Sequence, residues 1–305
     1  MTEKRLPSLG VIGVGFIGSA VVETFQHYVD VKSYDVRPGL GTHDYVDVIA
    51  QDVLVAALPT PMLKDGSVDV SIVEAELDKL AENLRPGTIK PLLIKSTLPP
   101  HKLGPLMLRH DDLLVIHNPE FLTERSAKYD YAQSSRFIFG TLVGDDASPE
   151  CRMVSELFNT RFPSVPQYWV PFAASSLVKY FTNLFFATKV SLMNEFRQVA
   201  ESWGQDAANV ISLVMLDPRI GRSHFQSPGH DGKYGYGGSC FIKDTGGYLE
   251  IAKECGVDPT IARATWQKNL EVRGVLTLTE ELNGMKGRAA AGEFSVQDVL
   301  ELGRK

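Results

Sequence analysis

Cysteine is scarce in this chain: three residues, an odd number, among 305. That count excludes a disulfide scaffold and fits a reducing compartment, where each thiol is either buried or reactive. Long apolar runs are also missing. The most apolar early stretch, residues 9–25, is broken by Gly10, Gly13, Gly15 and Gly18 and carries Glu23. A membrane span needs roughly 20 consecutive apolar residues. Residues 1–8 lead into no uninterrupted apolar segment, so no export signal and a cytoplasmic chain are expected. Excess positive charge is absent too. Lys+Arg is 31 against Asp+Glu 37, so 31 − 37 gives −6. Neither nucleic acid nor a membrane surface is expected as a partner. There is no internal repeat, no low-complexity segment, and no spaced His/Cys/Asp cluster for a metal.

What is present is an ordinary globular mix, 44% apolar and 22% charged, with length for about two domains. The first half alternates. Residues 9–13, 31–35, 53–58, 91–96, 113–117 and 137–141 read as short, almost wholly apolar strands. Residues 17–28, 70–84 and 149–159 have helical spacing. Strands of that kind separated by helices imply a parallel sheet covered on both faces.

The second half loses the strands. No Gly or Pro interrupts residues 172–203. Pro171 suits a first helical turn, and a helix from there to Trp203 spans roughly 50 Å at 1.5 Å per residue. Its apolar residues, Leu177, Tyr180, Phe181, Leu184 and Phe185 among them, spread around most of the circumference, which predicts burial. Further helices are expected over 207–216, 240–255 and 261–282. Pro163, Pro166 and Pro171 mark the boundary. The expected organisation is 1–168, 169–285, and a short tail, 286–305.

Gly13-Val14-Gly15-Phe16-Ile17-Gly18 is a G-x-G-x-x-G turn that follows a strand and opens a helix. Asp35 ends the next strand, 22 residues after Gly13. This is the full context of a Rossmann dinucleotide fingerprint. Gly13 allows the tight turn, Gly15 lets backbone approach a pyrophosphate, and Gly18 lets helix and sheet pack closely. The helix N-terminus offers N–H groups to the phosphates. A carboxylate at Asp35 accepts from the ribose hydroxyls and repels a 2′-phosphate, which favours NAD over NADP. Arg37, two residues on, leaves NADP open.

Gly237-Gly238-Ser239-Cys240-Phe241-Ile242-Lys243-Asp244 carries the chemistry of the second half. Ser239 is a good N-cap, which puts Cys240 in a first helical turn, where the dipole favours thiolate. Asp244 lies four residues on, on the same face. A carboxylate there opposes a thiolate, so a cation is expected beside it. Read alone, Cys240 is equally a small buried residue after a turn. Lys179 and Asn183 are also four apart, on the long apolar helix, and need polar company. Lys179 alone reads more readily as a lysine reaching out to solvent.

Taken together these segments resemble the UDP-glucose/GDP-mannose dehydrogenases, the nucleotide-sugar 6-dehydrogenases. The resemblance rests on Gly13–Gly18, Ala57-Leu58-Pro59-Thr60-Pro61, Lys95-Ser96-Thr97, Asn118-Pro119-Glu120-Phe121-Leu122-Thr123-Glu124, Lys179-Tyr180 with Asn183, Asp217-Pro218-Arg219-Ile220-Gly221, and Gly237–Asp244. They fall in the family's order across roughly residues 8–285. The resemblance implies a Rossmann domain followed by an all-helical domain with one long central helix. It implies NAD-dependent, four-electron oxidation of a sugar primary alcohol to a carboxylate through a cysteine thiohemiacetal and thioester, of use in polysaccharide biosynthesis.

By that resemblance Cys240 is the nucleophile. Lys179 and Asn183 stabilise the oxyanion, and Lys179 also supplies the cation near Cys240 and Asp244. Asp244 is an acid/base acting through a water held by Thr97, and Glu120 or Glu124 assists hydrolysis. The cofactor set is Gly13, Gly15, Phe16, Ile17, Gly18, Asp35, Pro59, Thr60, Thr97, Glu124 and Lys243. The substrate set is Phe121, Leu122, Lys179, Asn183, Arg219, Phe225 and Gly237. Arg219 is implied to reach into a partner subunit's site, hence a homodimer built on the long helix.

The sequence departs from that family after Leu282. Where a third, nucleotide-gripping domain is expected, Phe294 to Val299 reads as a capping box, with Ser295 as N-cap, Asp298 three on, and a Phe294–Val299 staple. A separate chain completing the nucleotide site is therefore an expectation. The loop 222–236 is long, and its His224 and His230 read as solvated loop residues sooner than ligand contacts. Two other readings stand beside the first. One is a two-electron 3-hydroxyacid-type dehydrogenase, which has no use for Cys240. The other is a truncated, non-catalytic NAD-binding homologue.

Overall fold

A computed structural model of the chain describes residues 5–85, 87–284, 292–302 and 304. The chain divides into two compact units. Residues 1–60 and 70–179 form the first, and residues 61–69 and 180–305 the second.

The first unit is an α/β layer structure. Its strands are β1 (Leu9–Ile12), β2 (Val31–Tyr34), β3 (Val53–Ala56), β4 (Lys90–Ile94), β5 (Leu113–His117), β6 (Phe137–Thr141) and β7 (Gln167–Pro171). They lie in the order β2-β1-β3-β4-β5-β6-β7. β1 runs parallel to β2 and β3, with Leu9 beside Val31 and Val53. Such pairs need crossover helices. These are α1 (Phe16–Phe25), α2 (Tyr45–Ile49), α3 (Ser71–Asn83) and α4 (Pro100–Met107). α5 (Ala127–Ala132) and α6 (Pro149–Arg161) follow the fifth and sixth strands.

The expected parallel sheet is found, with one correction at a single step, where β6 runs antiparallel to β5, joined through His117 and Gly140. A second concerns the proline-marked boundary. Residues 167–171 form a strand parallel to β6, and Pro171 closes it instead of opening the helix. The last position of an edge strand tolerates the missing N–H. One core lies around Val11, Phe25, Phe139 and Phe158. A second lies around Leu54, Leu80, Leu92 and Leu103. Both fit strands apolar on both faces.

The second unit is helical. The helix α7 (Phe172–Ser202) begins in the first unit and continues through the second. After it come α8 (Ala207–Val214), α9 (Ser239–Glu254), α10 (Thr260–Arg273), α11 (Val275–Gly284) and α12 (Val296–Leu302). The single helix expected over 261–282 is two, split at Gly274 with φ 87°. Burial all round α7 is also overturned. Tyr180 is fully buried, yet Phe181, Phe185 and Val199 are 53%, 64% and 55% exposed.

The core of this unit gathers Ala187, Trp266, Leu270, Leu278, Phe294 and Val299. The capping box forms at α12: Asp298 N–H donates to Ser295 Oγ at 3.2 Å, and Ser295 N–H to Asp298 Oδ2 at 2.8 Å. Residues 286–291, 303 and 305 of the expected tail lie outside the described residues.

Candidate functional site

In the first unit the glycine turn joins β1 to α1. Gly13 has φ 87°, and a Cβ on Gly18 would sit 1.8 Å from Gly13 O, so neither position admits a side chain. Gly15 is the N-cap of α1, makes no side-chain cap bond and faces open space. That leaves backbone N–H groups at a helix start for an anion. Asp35 lies directly after β2. It accepts from Val14 N–H at 2.7 Å, from Arg37 N–H and Nε at 2.9 Å each, and from Arg37 Nη2 at 2.9 Å. The Arg37 guanidinium holds the Asp35 carboxyl down at about 2. Arg37 itself is largely exposed, so it is able to swing clear of a ribose.

The same unit contains a buried polar cluster past the ends of β3, β4 and β5. Thr60 Oγ1 donates to Thr97 O at 3.2 Å. Lys179 Nζ donates to Glu120 O at 2.6 Å and to Glu120 Oε1 at 3.0 Å. Both side chains are under 5% exposed. Leu122 N–H donates to Glu120 Oε2 at 2.6 Å, and Lys179 Nζ lies 5.5 Å from the centre of the Phe121 ring. The carboxylate that Lys179 pairs with is therefore Glu120. Sequence reasoning gave no role to the neighbouring Lys95, whose Nζ donates to Asn118 Oδ1 and lies 3.2 Å from Tyr131 OH. Burial pushes the Lys95 amine down to about 7. Burial likewise holds His117 neutral, down at about 4, between Ser175 Oγ and Ser96 O.

In the second unit α9 opens at Ser239, with Gly238 as its N-cap at φ 73°. This corrects the expected Ser239 cap, since a left-handed φ at the cap suits glycine. Cys240 remains in the first turn and is half-buried. Asp244, 1% exposed, accepts from Asn183 Nδ2 at 2.5 Å and from Lys243 Nζ at 2.5 Å. The cation bound to Asp244 within this unit is Lys243, its neighbour in sequence. Lys243 was expected at the cofactor.

Phe225 packs on Met193, Ile211 and Met215. Arg219 is exposed and forks onto Asp217. Glu124 starts a single 3-10 turn, Glu124–Ser126. Pro59 and Thr60 follow β3 in the glycine-turn unit.

Two sequence profiles of one family match the chain. Residues 40–161 match the NAD binding domain of the UDP-glucose/GDP-mannose dehydrogenase family, and residues 173–271 its central domain. The chain belongs to the UDP-glucose/GDP-mannose dehydrogenase family. Its cofactor is NAD, and the turn at Gly13–Gly18 fits that group.

The UDP-glucose 6-dehydrogenase AglM of Haloferax volcanii is 28% identical over 302 residues, covering 86% of this chain and 69% of the relative. The UDP-glucose 6-dehydrogenase TuaD of Bacillus subtilis is 31% identical over 257 residues. That match covers 81% of this chain and 53% of the relative, so the chain spans about half its length. A UDP-glucose dehydrogenase structure from the hyperthermophilic archaeon Pyrobaculum islandicum superposes with a TM-score of 0.76 at 29% identity. It covers 93% of this chain and 73% of that one.

Sequence reasoning did not single out His117 in one unit or Asn194, Asn269 and Arg273 in the other, and it quoted Lys95 and Asn118 only within motifs, without a role. All six are buried. A signal existed for Lys95 and His117, each a titratable residue closing or following an apolar strand. None existed for Asn269, which sits in an otherwise ordinary amphipathic helix. Among the described residues no group of three or more His, Cys, Asp or Glu is placed to hold a metal, and no helix is long and apolar enough to cross a membrane.

Proposed function

We propose that the protein oxidises the primary alcohol of a nucleotide-linked sugar to a carboxylate in two successive two-electron steps, with Cys240 as the covalent anchor. NAD, when bound, supplies the hydride acceptor for each step. The observation that carries this reading is Cys240 in the first turn of α9, four residues before an Asp244 whose charge is offset by Lys243 and shared with Asn183. A helix start favours thiolate, and the cation on Asp244 limits the opposing charge.

The chemistry divides as follows. Loss of a hydride from carbon and of the hydroxyl proton to a base turns the alcohol into an aldehyde. The Cys240 thiolate adds to the carbonyl carbon and its oxygen takes the negative charge, giving a thiohemiacetal. Loss of a second hydride restores the carbonyl as a thioester. Water then adds, the C–S bond breaks, and carboxylate and thiol are released. This divides a difficult oxidation and prevents escape of the aldehyde. Asn183 and Lys179 are the donors for the oxyanion, each worth about 3 kcal/mol. Asp244 and Thr97 manage the water, and Glu120, held in one orientation by Leu122 N–H, serves hydrolysis.

Similarity to UDP-glucose 6-dehydrogenases makes UDP-glucose the first substrate to try. NADH absorbance per mole of nucleotide sugar, with the acid product identified, tests the proposal. Two NADH per sugar supports it. One NADH supports a two-electron hydroxyacid-type dehydrogenase, and none with any sugar supports a binding protein.

The exposed stripe Phe181, Phe185, Leu192, Phe196 and Val199 along α7, continued by Trp203 just past its end, supports a homodimer. Its spacing of mostly four and three residues keeps it on one face. Light scattering should give twice the 33.6 kDa chain mass and a monomer for Phe185→Glu.

A further inference from the structure

The chain that leads into Cys240 is held by side chains with no assigned role. Tyr236 N–H donates to Asn269 Oδ1 at 2.7 Å, and Asn269 Nδ2 donates to Tyr236 O at 2.9 Å. One amide side chain thus satisfies both backbone groups of a buried residue, as a strand partner would. Asn269 is fully buried.

The residues before Tyr236 are held as well. Arg273, one turn further along α10, donates from Nη1 to Tyr234 O at 3.3 Å and from Nη2 to Asp231 Oδ2 at 2.6 Å. Its guanidinium is oriented by Glu281 of α11 at 2.6–3.1 Å. Lys233 also reaches Glu281, at 3.2 Å. From α7, Asn194 Oδ1 accepts from Ser227 Oγ at 2.9 Å and Gly235 N–H at 3.3 Å.

The glycines on either side of Tyr236 fit those side chains closely. A Cβ on Gly235 would lie 2.3 Å from Asn269 Oδ1, and a Cβ on Gly237 would lie 2.0 Å from Arg273 Nη2. The Tyr236 ring is buried in the helical core, with Phe241 packed at its edge. So the glycines flank a clamped residue, and Gly238 then turns the chain into α9, two residues before the thiol.

We propose that Asn269 and Arg273 of α10 are positioning residues for Cys240: they clamp the backbone at Tyr234 and Tyr236 and the side chain of Asp231, and thereby fix where the turn before α9 presents the thiol. The catalytic half of this statement rests on Cys240 being the nucleophile. The positional half does not. A clamp is needed because the segment 217–238 contains no helix or strand, and a reacting atom misplaced by 1 Å costs about a hundredfold in rate. Two asparagines and an arginine supply to irregular backbone the bonds that a sheet ladder supplies to a strand.

The test compares Asn269→Asp, Arg273→Lys and Cys240→Ala with the parent full-length chain. Asn269→Asp keeps the acceptor for Tyr236 N–H and sets an oxygen against Tyr236 O. Arg273→Lys keeps the charge beside Glu281 and loses the fork. Two quantities are read on folded protein: the pH profile of Cys240 alkylation by iodoacetamide, with exposed Cys255 as internal reference, and kcat for acid formation beside the dissociation constant for NAD.

The clamp predicts that Asn269→Asp shifts Cys240 alkylation several-fold, leaves Cys255 and NAD binding unchanged, and lowers kcat by about tenfold to a hundredfold. Arg273→Lys should give a smaller change of the same kind, and it carries the test if Asn269→Asp does not fold. Unchanged Cys240 alkylation and unchanged kcat in a folded variant overturn the proposal. Acid formation that persists in Cys240→Ala overturns the nucleophile reading, and the alkylation profiles then still decide the clamp.

Discussion

The two units solve the burial of polar side chains in different ways. In the first, charged groups are buried at strand ends: Glu120 pairs with Lys179, Lys95 holds Asn118, and His117 stays neutral. The sheet fixes these side chains because its backbone bonds are already complete. In the second, the fixed scaffold is α7 and α10, and buried amides on those helices hold irregular backbone. A sheet orders its own edges, whereas helices, with their backbone bonds satisfied internally, must order a neighbouring loop through side chains.

The largest expected effect concerns the buried pair of the first unit. Lys179→Ala leaves the Glu120 carboxylate buried without its ammonium partner, which costs about 3–5 kcal/mol of stability. Chemical denaturation measures it. A loss below 1 kcal/mol would mean that the pair is already solvated, and the contrast between the units would weaken.

The next effect concerns cofactor choice. Asp35 disfavours a 2′-phosphate, so NAD should bind about a hundredfold more tightly than NADP, which is about 2.7 kcal/mol. Arg37 opposes that preference, and Arg37→Ala should widen it. Equal affinity for the two dinucleotides in a titration would remove Asp35 from the ribose.

A smaller effect follows from His117. Its folded-state pKa is pushed down to about 4 from 6.5 by burial. A depressed histidine contributes stability that is complete above the unfolded value and is lost as pH falls towards the folded value. The protein should therefore lose up to about 1.4 kcal/mol per pH unit from this group between pH 6.5 and 4. Denaturation midpoints at pH 7 and 5 test it, and a His117→Gln variant should have a flatter profile. The smallest effect lies at α12, where Ser295→Ala should cost about 1 kcal/mol by removing one arm of the capping box.

Much of the first unit was legible in sequence because its signals are local. Five of its strands are short, mainly apolar runs, and the glycine turn with Asp35 announces itself at fixed spacing. The seventh strand was missed because Gln167 to Pro171 lacks a continuous apolar run and lies among prolines, where tertiary pairing with β6 decides. The antiparallel step at β5–β6 was illegible for a related reason: strand direction is set by the connection, which residues 118–136 do not encode as a pattern.

In the second unit the apolar content of α7 predicted burial, yet composition does not tell a covered face from an exposed one. Asn183 and Asp244 stood out in sequence, but their pairing with each other did not. The spacing of Cys240 and Asp244 called for a nearby cation, and one that binds Asp244 is its sequence neighbour, Lys243. The Asn269 clamp was invisible, because its partners are backbone groups 33 residues away.

The central claim is that the first unit holds the dinucleotide while the second supplies the covalent anchor, so that the two functions separate by mutation. The most direct measurement is Cys240→Ala, assayed both for NAD binding by calorimetry and for carboxylate formation from UDP-glucose. The account predicts an unchanged dissociation constant for NAD and no detectable acid, with at most a trace of aldehyde. Carboxylate formed by Cys240→Ala at a near-normal rate would contradict it.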